Sequence, residues 1–482
     1  MKRLVFILCA ATIAVSGAWS ATSAAAAATL CVGGPGCFAT IQAAVDAAHD
    51  GDTITIASGT FAGGVRIDVS VNVVGAGANK TIINGGGPVV TIGRQDGPRR
   101  TVSISGVTIS GGVNNSVPDT VVSFGGGVSI PWASGFTTGA TVTIADSVVT
   151  GNRVTPQTAG LFCGVPCAFA FGGGIDNAGT LTVTNTAISG NQAGSIPTLT
   201  SVTSGAGAGG IFNEGLGTLT LRNSVVSGNS AAVNAPNGSL VQAGGVDSAG
   251  AATIENSIIS GNSLLGRGLV ADEADAFAGG LLAQGPLSLS NSSVDHNQVS
   301  ASLVSAVGGL VFTDAGGVEA DNVATITNTR IVDNSLDATA PAGTVIAVGG
   351  GLAVGFHFGV TVRDSLIARN TVTATSAGGT PIGAGGGVEN FGQLTLERTV
   401  VTNNAATANG PSGIAHGGGI SNETFPGDSP PLLTLTDSVV TANKLSASPG
   451  VTPLGGGLFT TSPATLTRTV VAGNKPDQCF GC

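Results

Sequence analysis

The sequence of 482 residues is poor in charged and aromatic side chains. Tyrosine is absent, tryptophan occurs twice, and only 9% of the residues are Asp, Glu, Lys or Arg. Acids outnumber bases by 27 to 17, so the formal net charge is −10. An acidic chain of this kind is not expected to bind nucleic acid or anionic membranes. Few charges and 78 glycines are typical of disordered chains, but 42% of the residues are hydrophobic, which is enough to build a buried core.

Long apolar runs are also missing, except at the start of the chain. Lys2 and Arg3 are followed by an apolar stretch over 4–15 and by small residues over 21–28. This order is typical of a secretory signal peptide, which we assign to residues 1–28, and it is too short for a membrane span. We therefore expect a secreted protein, extracellular or at the cell surface, without membrane insertion. Loss of the two bases changes its net charge to −12.

Six cysteines follow the signal peptide. They form three close pairs, Cys31–Cys37, Cys163–Cys167 and Cys479–Cys482. An even number of cysteines in an exported chain favours disulfides, and closeness in sequence favours three local bridges among the several possible pairings. Zinc is the alternative for such short spacings, but no histidine or second pair lies near enough in sequence to complete four ligands. We therefore predict disulfides and no metal at the cysteines.

An internal repeat occupies most of the chain. Each copy contains Gly-Gly and an aliphatic residue, then a polar residue followed by Ser or Thr, and it closes on Asn. The closing residues, 31 to 39 positions apart, are Asn152, Asn191, Asn229, Asn262, Asn297, Asn334, Asn370, Asn404, Asn443 and Asn474. Repeats of roughly 20–50 residues indicate a solenoid or an array.

The pattern inside a copy is that of β-strands. Residues 180–184, Thr-Leu-Thr-Val-Thr, alternate with a period of two and are rich in β-branched side chains. Ile188 marks a second strand, and residues 344–348 mark a third in another copy. Three short strands would make one coil, and coils must stack to bury their apolar side. The closing Asn is predicted to adopt the left-handed conformation at a tight corner and to bond to the Asn of adjacent coils, as a structural ladder.

The same residues carry a resemblance to a known superfamily. The sequence GGGI at 172–175, with LTVTN and ISGN after it, resembles the right-handed parallel β-helix of pectin-lyase-like proteins. It is similar to the GGA[ILV] and FxxN repeats of polymorphic outer membrane proteins, with Val or Ile in place of Phe. The start, ATIQAAVDAAHDGDTITIASGTF, resembles the amphipathic cap helix and first coil of such proteins.

The resemblance covers residues 38–478 and implies an all-β, right-handed, single-stranded parallel β-helix. Its parts would be a short N-terminal capping helix at about 39–49, repeated coils at about 52–474 and a Cys-stapled C-terminal tail at 475–482. Lyases, hydrolases, adhesins and inert scaffolds all share this fold, so the resemblance does not imply one function.

A row of acids follows the Gly-Gly corners. The residue after the aliphatic position is acidic in every second copy, at Asp176, Asp247, Glu319 and Glu389. Strand alternation would turn these acids outward. Alternate coils lie roughly 9.5 Å apart, at the upper end of the ~6.5–9.5 Å separation found in inverting glycosidases. The acids are therefore candidate catalytic residues.

Two other interpretations of the acid row stay open. A solvated face is the favoured one, because alternation of acidic and neutral coils avoids stacking like charges. The other is calcium binding, although calcium needs more oxygens than one acid per coil supplies. We expect no other cofactor.

Aromatic side chains, which sugar-processing grooves commonly use, are concentrated in one region. Trp132 is the only tryptophan after the signal peptide, and Phe162 and Phe169 lie in the long insert 153–171. We interpret this group chiefly as internal packing. The alternative is a recognition patch, because a long cysteine-containing loop is where binding would be expected.

These observations favour a secreted or cell-surface structural and interaction protein, adhesin-like or glycan-binding. Its expected partners are extracellular polysaccharides or cell-surface glycans. The alternative is a polysaccharide lyase or glycoside hydrolase that acts along an outer face of the β-helix. A groove in which Asp176 and Asp247 lie beside an Arg would favour the enzyme, and a smooth face would favour the scaffold.

Overall fold

The computed structural model describes residues 26–115, 122–156, 167–194, 203–236, 238–269, 273–305, 308–424 and 429–482, without the side chains of residues 167 and 203. Most of the segment assigned as a signal peptide, residues 1–25, lies outside this description, as do Phe162 and the predicted Cys163–Cys167 bridge. The described chain is an all-β parallel solenoid with one short helix near its start, as predicted. It contains no helix with the length and hydrophobicity that a transmembrane span requires.

The helix, α1, is Ile41–Ala47, slightly shorter than the 39–49 predicted. It begins after Thr40, whose side chain accepts a hydrogen bond from the backbone N–H of Ala43 at 3.1 Å. Its buried residues Ile41, Ala44 and Val45 pack against the first coil of the solenoid. The helix therefore covers apolar surface that the first coil would otherwise expose.

Three sheets, here named A, B and C, enclose the main core. Sheet A consists of Thr29–Val32, Thr53–Ile56, Asn72–Gly75, Thr101–Ser105, Thr141–Ala145, Thr180–Thr184, Thr218–Arg222, Ala251–Glu255, Leu287–Ser290, Ala324–Thr327, Gly359–Arg363, Gln393–Glu397, Leu432–Thr436 and Ala464–Thr467. Sheet B consists of Gly59–Ala62, Thr81–Asn84, Thr108–Ser110, Val148–Thr150, Ala187–Ser189, Val225–Ser227, Ile258–Ser260, Ser293–Asp295, Arg330–Val332, Leu366–Ala368, Val400–Thr402, Val439–Thr441 and Val470–Ala472. Sheet C consists of Val65–Ile67, Val90–Ile92, Val128–Ile130, Ile175–Asn177, Ile211–Asn213, Val246–Ser248, Leu281–Ala283, Val318–Ala320, Leu352–Val354, Val388–Asn390, Ile420–Asn422, Leu458–Thr460 and Cys479–Phe480.

Two further sheets, D and E, form a lobe beside this core. Sheet D consists of Val113–Asn114, Arg153–Val154, Gln192–Gly194, Ser230–Ala235, Ser263–Gly268, Gln298–Leu303, Ser335–Ala340, Thr371–Ser376, Ala405–Asn409 and Lys444–Ala447. Sheet E consists of Val122–Phe124, Cys167–Phe171, Thr203–Gly207, Ser239–Gln242, Glu273–Phe277, Leu310–Asp314, Thr344–Val348, Thr380–Ala384, Gly413–His416 and Val451–Leu454. The chain passes through the sheets in the order A, B, D, E, C.

The prediction of three strands per coil is therefore wrong for most of the chain. Coils before residue 113 use only sheets A, B and C, whereas later coils add a strand in D and a strand in E. The main core is lined by Ile, Leu and Val, while the lobe has its own narrow core, rich in Ala. Small residues there let sheets D and E approach closely. The alternation of Ala and Val in these strands did not by itself show that they enclose a second core.

The closing asparagines lie where the core joins the lobe. Asn191 is buried, and its Nδ2 donates to Oδ1 of Asn229 at 2.9 Å and to the carbonyl of Val149 at 3.0 Å. Its Oδ1 accepts from the backbone N–H and from Nδ2 of Asn152, at 3.1 and 3.0 Å. A Cβ added to Gly174 would lie 2.9 Å from Nδ2 of Asn191, so glycine is needed for the two segments to meet. The file of asparagines therefore joins each coil to the next at the neck between the two cores.

The left-handed backbone predicted for these asparagines belongs instead to the residues before them. Positive φ angles occur at Gly151, Gly190, Gly228, Gly261, His296, Asp333, Arg369, Asn403, Ala442 and Gly473. The corner is thus made one residue earlier, which turns the Asn side chain inward to the file. Near the two ends of the solenoid, disulfides join Cys31 to Cys37 and Cys479 to Cys482.

Candidate functional site

A groove runs along the outside of the solenoid where sheet E meets sheet C. The chain bends between the two sheets at a residue with positive φ in ten successive coils, at Gly125, Gly172, Ala208, Ala243, Ala278, Ala315, Gly349, Gly385, Gly417 and Gly455. This bend makes the outer faces of sheets E and C face each other across a concave corner. The loops from sheet C to sheet A form the far wall.

Two files of side chains point into the groove. The last residues of the sheet E strands form one file: Phe124, Phe171, Gly207, Gln242, Phe277, Asp314, Val348, Ala384, His416 and Leu454. The central residues of the sheet C strands form the other: Ser129, Asp176, Phe212, Asp247, Leu282, Glu319, Ala353, Glu389, Ser421 and Phe459.

The four acids predicted to form a solvated face are in fact buried. Asp176, Asp247, Glu319 and Glu389 have exposed fractions of 1%, 1%, 5% and 0%. They do point away from the main core, as strand alternation requires. The prediction failed because sheet E folds back over sheet C and covers them, and no sequence pattern showed that two outer faces meet.

Phenylalanine rings line the same groove. The centroid of Phe171 lies 4.7 Å from that of Phe212 and 5.7 Å from that of Phe124. A Cβ on Gly207 would lie 2.6 Å from the Phe171 ring, so the absence of a side chain there makes room for the ring. Further along, the Phe356 and Phe391 centroids are 5.0 Å apart.

Three cavities lie along these walls. The first, of 400 Å³, is lined by Val122, Phe124, Phe169, Phe171, Phe212, Glu214 and Gly215. The second, of 590 Å³, is lined by Phe277, Phe312, Asp314, Glu319, Asp321, Gly355, Phe356, His357, Phe358 and Phe391. The third, of 180 Å³, is lined by Phe312, Ile346, Val348, Ile382, Phe391, Ile414, His416, Glu423 and Thr424. Phe312 and Phe391 line both the second and the third cavity, which are therefore neighbours.

Carboxyl groups meet at three places in the groove, each time one from sheet C and one from a loop. At the first place, burial raises the pKa of Asp176 well above its usual range, and the charge of Glu214 raises it further. Burial raises the pKa of Glu214 to about 6. The two carboxyls therefore hold a proton more tightly than an exposed acid does, and Glu214 is the one that lines the first cavity.

The second cavity has the largest group of acids. Burial raises the pKa of Glu319 well above its usual range, and the charges of Asp314 and Asp321 add to the effect. Burial likewise raises the pKa values of Asp314 and Asp321, and it raises the pKa of Asp247 to about 7. Two carboxyls that repel each other in a desolvated site are both less acidic, because each additional charge is costly.

The third place contains a histidine as well. Burial raises the pKa of Glu389 well above its usual range and that of Glu423 to about 7. His416 is buried, and its Nδ1 lies 3.3 Å from Oγ of Ser421 while its Nε2 lies 3.6 Å from Oε1 of Glu423. Burial lowers the pKa of His416 to about 4. The order Ser, His, Glu is that of a hydrolase triad, but Ser421 is fully buried and cannot meet a substrate carbonyl.

Many of the groove carboxyl oxygens lack hydrogen-bond partners. Among the described residues, the buried acid oxygens without a partner are Asp176 Oδ1, both oxygens of Asp247, Asp275 Oδ1, Asp314 Oδ1, Glu319 Oε2 and both oxygens of Glu389. All of these lie on sheet C or on the outer face of sheet E. A buried acceptor without a partner is costly, which favours the protonated form of these acids.

Basic side chains are not found in the cavity walls. Among the described residues that line the three cavities, none is Lys or Arg, and the only histidines are His357 and His416. The Arg that would have favoured an enzyme is therefore absent from the described walls of these cavities. In the described ranges, no three His, Cys, Asp or Glu side chains are grouped as metal ligands would be, and calcium binding along the row stays a prediction.

The predicted recognition patch is divided by the structure. Trp132 packs against Phe136 in the loop after its sheet C strand, with centroids 5.5 Å apart. Phe169 stacks on Phe171, at 6.2 Å, and lines the first cavity. Sequence reasoning missed Phe277, Phe312 and the loop acids Glu214, Asp321 and Glu423. Their positions just before and just after the Gly-Gly corners were the available signal.

A second concavity, of 850 Å³, lies at the corner between sheets A and B. It is lined by polar residues, and its charges are paired between adjacent coils. Arg398 bonds to Asp364 with an Nε–Oδ1 distance of 2.6 Å, and the same contact joins Arg468 to Asp437 nearby. These arginines hold the pKa values of Asp364 and Asp437 below their usual range. Most charges at this corner are therefore compensated, although the described residues provide no ion pair for Arg330, which also lines the concavity.

Comparisons with known proteins identify no family. No family model and no curated protein matches the chain. Among solved structures, a variant of AlyGC, an alginate lyase of polysaccharide lyase family 6, matches with 9% identity and a TM-score of 0.19, over 91% of this chain and 100% of the lyase. AlyGC itself matches with 9% identity and a TM-score of 0.15, over 94% and 100%. At these scores no residue role can be transferred from the lyase.

Proposed function

We propose that this protein, secreted or at the cell surface, binds an extended polysaccharide along the groove between sheets C and E. The supporting observation is that phenylalanine rings and buried carboxyl groups without partners share the same walls over many coils. Nine sheet C strands, from the one beginning at Val128 to the one beginning at Ile420, border this groove. At the usual strand spacing they span on the order of 40 Å, which suits a chain of several sugar residues.

The wall chemistry suits a sugar chain. A sugar ring has apolar faces, which can pack on Phe171, Phe212 or Phe312, and a rim of hydroxyl groups. A protonated carboxyl both donates and accepts hydrogen bonds, and an ionised one accepts several, so either form can pair with hydroxyls. In the second cavity, binding would pair a sugar hydroxyl with Glu319 and would thereby recover part of the free energy that the burial of this carboxyl costs.

Hydrolysis of the bound chain is the second candidate function. The observation that favours it is the group of acids at the second cavity, where one carboxyl can stay protonated beside an ionised one, as an acid and base pair requires. A lyase is less suited to this site. Lyases act on uronic acids, whose carboxylates would be repelled by Asp314, Glu319 and Asp321, with no described cation in the cavity walls.

A glycan array and a polysaccharide degradation screen on the chain without its signal peptide test both candidates. We expect at least one polysaccharide to bind, and the double variant Phe171→Ala/Phe212→Ala to lose at least tenfold in affinity for it. The matched control is Arg468→Gln, on the opposite corner, which should bind as the parent does. If no polysaccharide binds, or if binding survives the Phe substitutions, the proposal is wrong. Chain cleavage abolished by Glu319→Gln would establish hydrolysis in addition to binding.

A further inference from the structure

We infer that the polysaccharide carries free amino groups, and that the second cavity binds one of its ammonium groups between carboxylates and phenylalanine faces. This inference deepens the proposed function and rests on it. The ligand class it names is a polymer of hexosamine units without acetyl groups. Three features of the cavity support it: the geometry of the acids, the aromatic walls and the local charge balance.

The acids of this cavity come from three different elements and converge. Asp314 ends a sheet E strand, Glu319 is central in the sheet C strand that follows, and Asp321 lies just after that strand. All three line the cavity. Asp247 points the same way from two strands earlier in sheet C, since Asp247 pairs with Leu282 and Leu282 pairs with Glu319.

The acids of this group are buried, which distinguishes them from an exposed acidic cluster. The exposed fractions of Asp314, Glu319 and Asp247 are 7%, 5% and 1%. Each has at least one buried oxygen without a hydrogen-bond partner. An ammonium group has three N–H donors and no acceptor, so inside the cavity it can bond to the carboxyls of Asp314, Glu319 and Asp321 that line it without leaving a lone pair of its own unpaired.

Aromatic rings form the rest of the cavity wall. Phe277 and Phe312 lie with centroids 5.7 Å apart on the sheet E side, and Phe356 and Phe391 stack at 5.0 Å on the loop side. The negative face of an aromatic ring attracts a cation, and the attraction is stronger where water is excluded. The same rings would repel an anionic sugar and give a neutral one only apolar contact.

The charge balance selects among the sugar classes. Several carboxyls buried together must either keep their protons or meet a cation. The cavity walls provide no Lys or Arg among the described residues, so the cation would have to come with the ligand. A uronic acid polymer would add negative charge, and a neutral polymer can pair with the carboxyls only while they keep their protons. An amine-bearing polymer compensates them when they are ionised.

The carboxyl pairs at the two other places in the groove can bind further amino groups of the same polymer. Asp176 and Glu214 meet at the first cavity, and Glu389 and Glu423 meet beside the third. A chain with an amino group on each unit could engage more than one of these pairs at once. Affinity should therefore rise steeply with oligomer length.

Titration calorimetry with three probes tests the inference: a β-1,4-linked glucosamine hexamer, its fully N-acetylated form and a hexamer of a uronic acid. We expect the glucosamine hexamer to bind at least tenfold more tightly than either of the others. The double variant Asp314→Asn/Glu319→Gln should lose at least tenfold for glucosamine and little for the acetylated form. Asp437→Asn, which removes an exposed acid outside the groove, is the control.

The outcomes separate this inference from the proposed function. If the acetylated or the uronic acid hexamer binds as tightly as glucosamine, the amine is not recognised and the inference is overturned, while groove binding stands. If glucosamine binds but the double variant binds it equally well, the second cavity is not the site and the inference also fails. If no probe binds and the glycan array is also empty, the proposed function fails with it. Melting temperatures of the variants show whether each is folded.

Discussion

Two files of buried polar side chains run along the same coils, and they differ in how their polar atoms are paired. In the asparagine file each amide is satisfied: Asn297 donates to Oδ1 of Asn334 and to the carbonyl of Ile259, both at 3.0 Å, and it accepts two bonds from Asn262. In the acid file of sheet C, both oxygens of Asp247 have no hydrogen-bond partner. Satisfied polar groups hold a fold together, whereas unsatisfied ones make it less stable.

The contrast shows where buried polar groups make the folded state less stable. Exposed acids at the corner of sheets A and B have arginine partners one coil away, as with Asp364 and Asp437, and the neck asparagines have one another. Among the residues that the structure describes, several acids lie buried and uncompensated together only in the groove. Because a strained or unsatisfied site persists where function requires it, the groove is the part of the described surface that a ligand should complete.

The largest expected effect is the pH dependence of stability. The folded-state pKa values of Asp247, Asp275 and Glu423 are raised to about 7, and that of Glu214 to about 6. The folded state therefore binds more protons than the unfolded state between about pH 4 and pH 7, and stability falls as pH rises through that window. Summed over these groups, with Asp275 discounted for its partial exposure, the loss is on the order of 10 kcal/mol.

His416 acts in the opposite direction, because its lowered pKa makes the folded state bind fewer protons below pH 6.5, but it is one group against several. Melting temperatures measured from pH 5 to pH 8 check the prediction. A triple variant, Asp247→Asn/Glu319→Gln/Glu389→Gln, should show a much flatter profile. A melting temperature that rises over this range in the parent would contradict the unpaired state of the groove acids.

Next in size is the loss of one rung of the asparagine file. Asn297→Ala removes two donors and two accepted bonds inside the neck, and it leaves buried partners on both adjacent coils unpaired. We expect a loss of about 3–4 kcal/mol. Hydrogen exchange should show the opening localised to the adjoining coils, since each coil of a solenoid contacts only its neighbours.

The matched control for the file is Asn72→Ala, an exposed asparagine whose side chain accepts one hydrogen bond from Ser103 at 2.7 Å. It should cost less than about 1 kcal/mol. Equal losses at Asn297 and Asn72 would mean that the neck file contributes no more than a surface contact.

A single acid-to-amide change in the groove should have the opposite sign. Asp247→Asn replaces a fully buried carboxyl with a neutral group of the same shape, so above pH 7 it should stabilise the protein by about 3–4 kcal/mol. At pH 5 the gain should be less than half as large, because the carboxyl is then protonated in the folded state. It should vanish only below about pH 4, where the unfolded state is protonated as well. Thermal unfolding at the two pH values measures the difference, and a gain that is equal at both would contradict the prediction.

The smallest effect is expected at the exposed corner. Arg398→Gln removes the bonds from Arg398 to Asp364, of which the Nε–Oδ1 distance is 2.6 Å, but both groups are solvated. Exposed ion pairs contribute about 0–1 kcal/mol and are weakened by salt. The melting temperature should shift by only a few degrees at low salt and not at all at high salt. A larger shift would mean that the exposed ion pair contributes to stability on a scale closer to that of the buried asparagines and acids.

The repeat predicted the fold well because its signals are local. Alternating Thr and Leu at 180–184, the Gly-Gly corners and the closing Asn residues each fix a strand, a bend or an inward side chain. The helix at 41–47 followed from the same kind of periodicity. The lobe of sheets D and E could not be predicted in this way, because Ala-rich strands pack in a narrow core whose existence depends on contacts between segments.

The site depended on those same contacts. Asp176, Asp247, Glu319 and Glu389 were found from their regular position, but their burial follows from sheet E, which covers them. Asp321 occupies the same position after the Gly-Gly corner as Glu214 and Glu423, but this position is acidic in only some coils, so its role was not apparent from the sequence. The sequence pattern therefore located the row of acids. The groove itself arises because the outer faces of sheets C and E meet, which the pattern did not show.

Whether the groove acids hold their protons in the absence of ligand can be measured directly. Infrared difference spectra between the parent chain and Asp247→Asn/Glu319→Gln isolate the carbonyl band of protonated carboxylic acid at these two positions. We expect this band to be present at pH 6 and to disappear only near or above pH 7. A band already absent at pH 5 would show that the carboxylates are ionised and compensated, and the groove acids would then not be the unpaired, protonated groups described above.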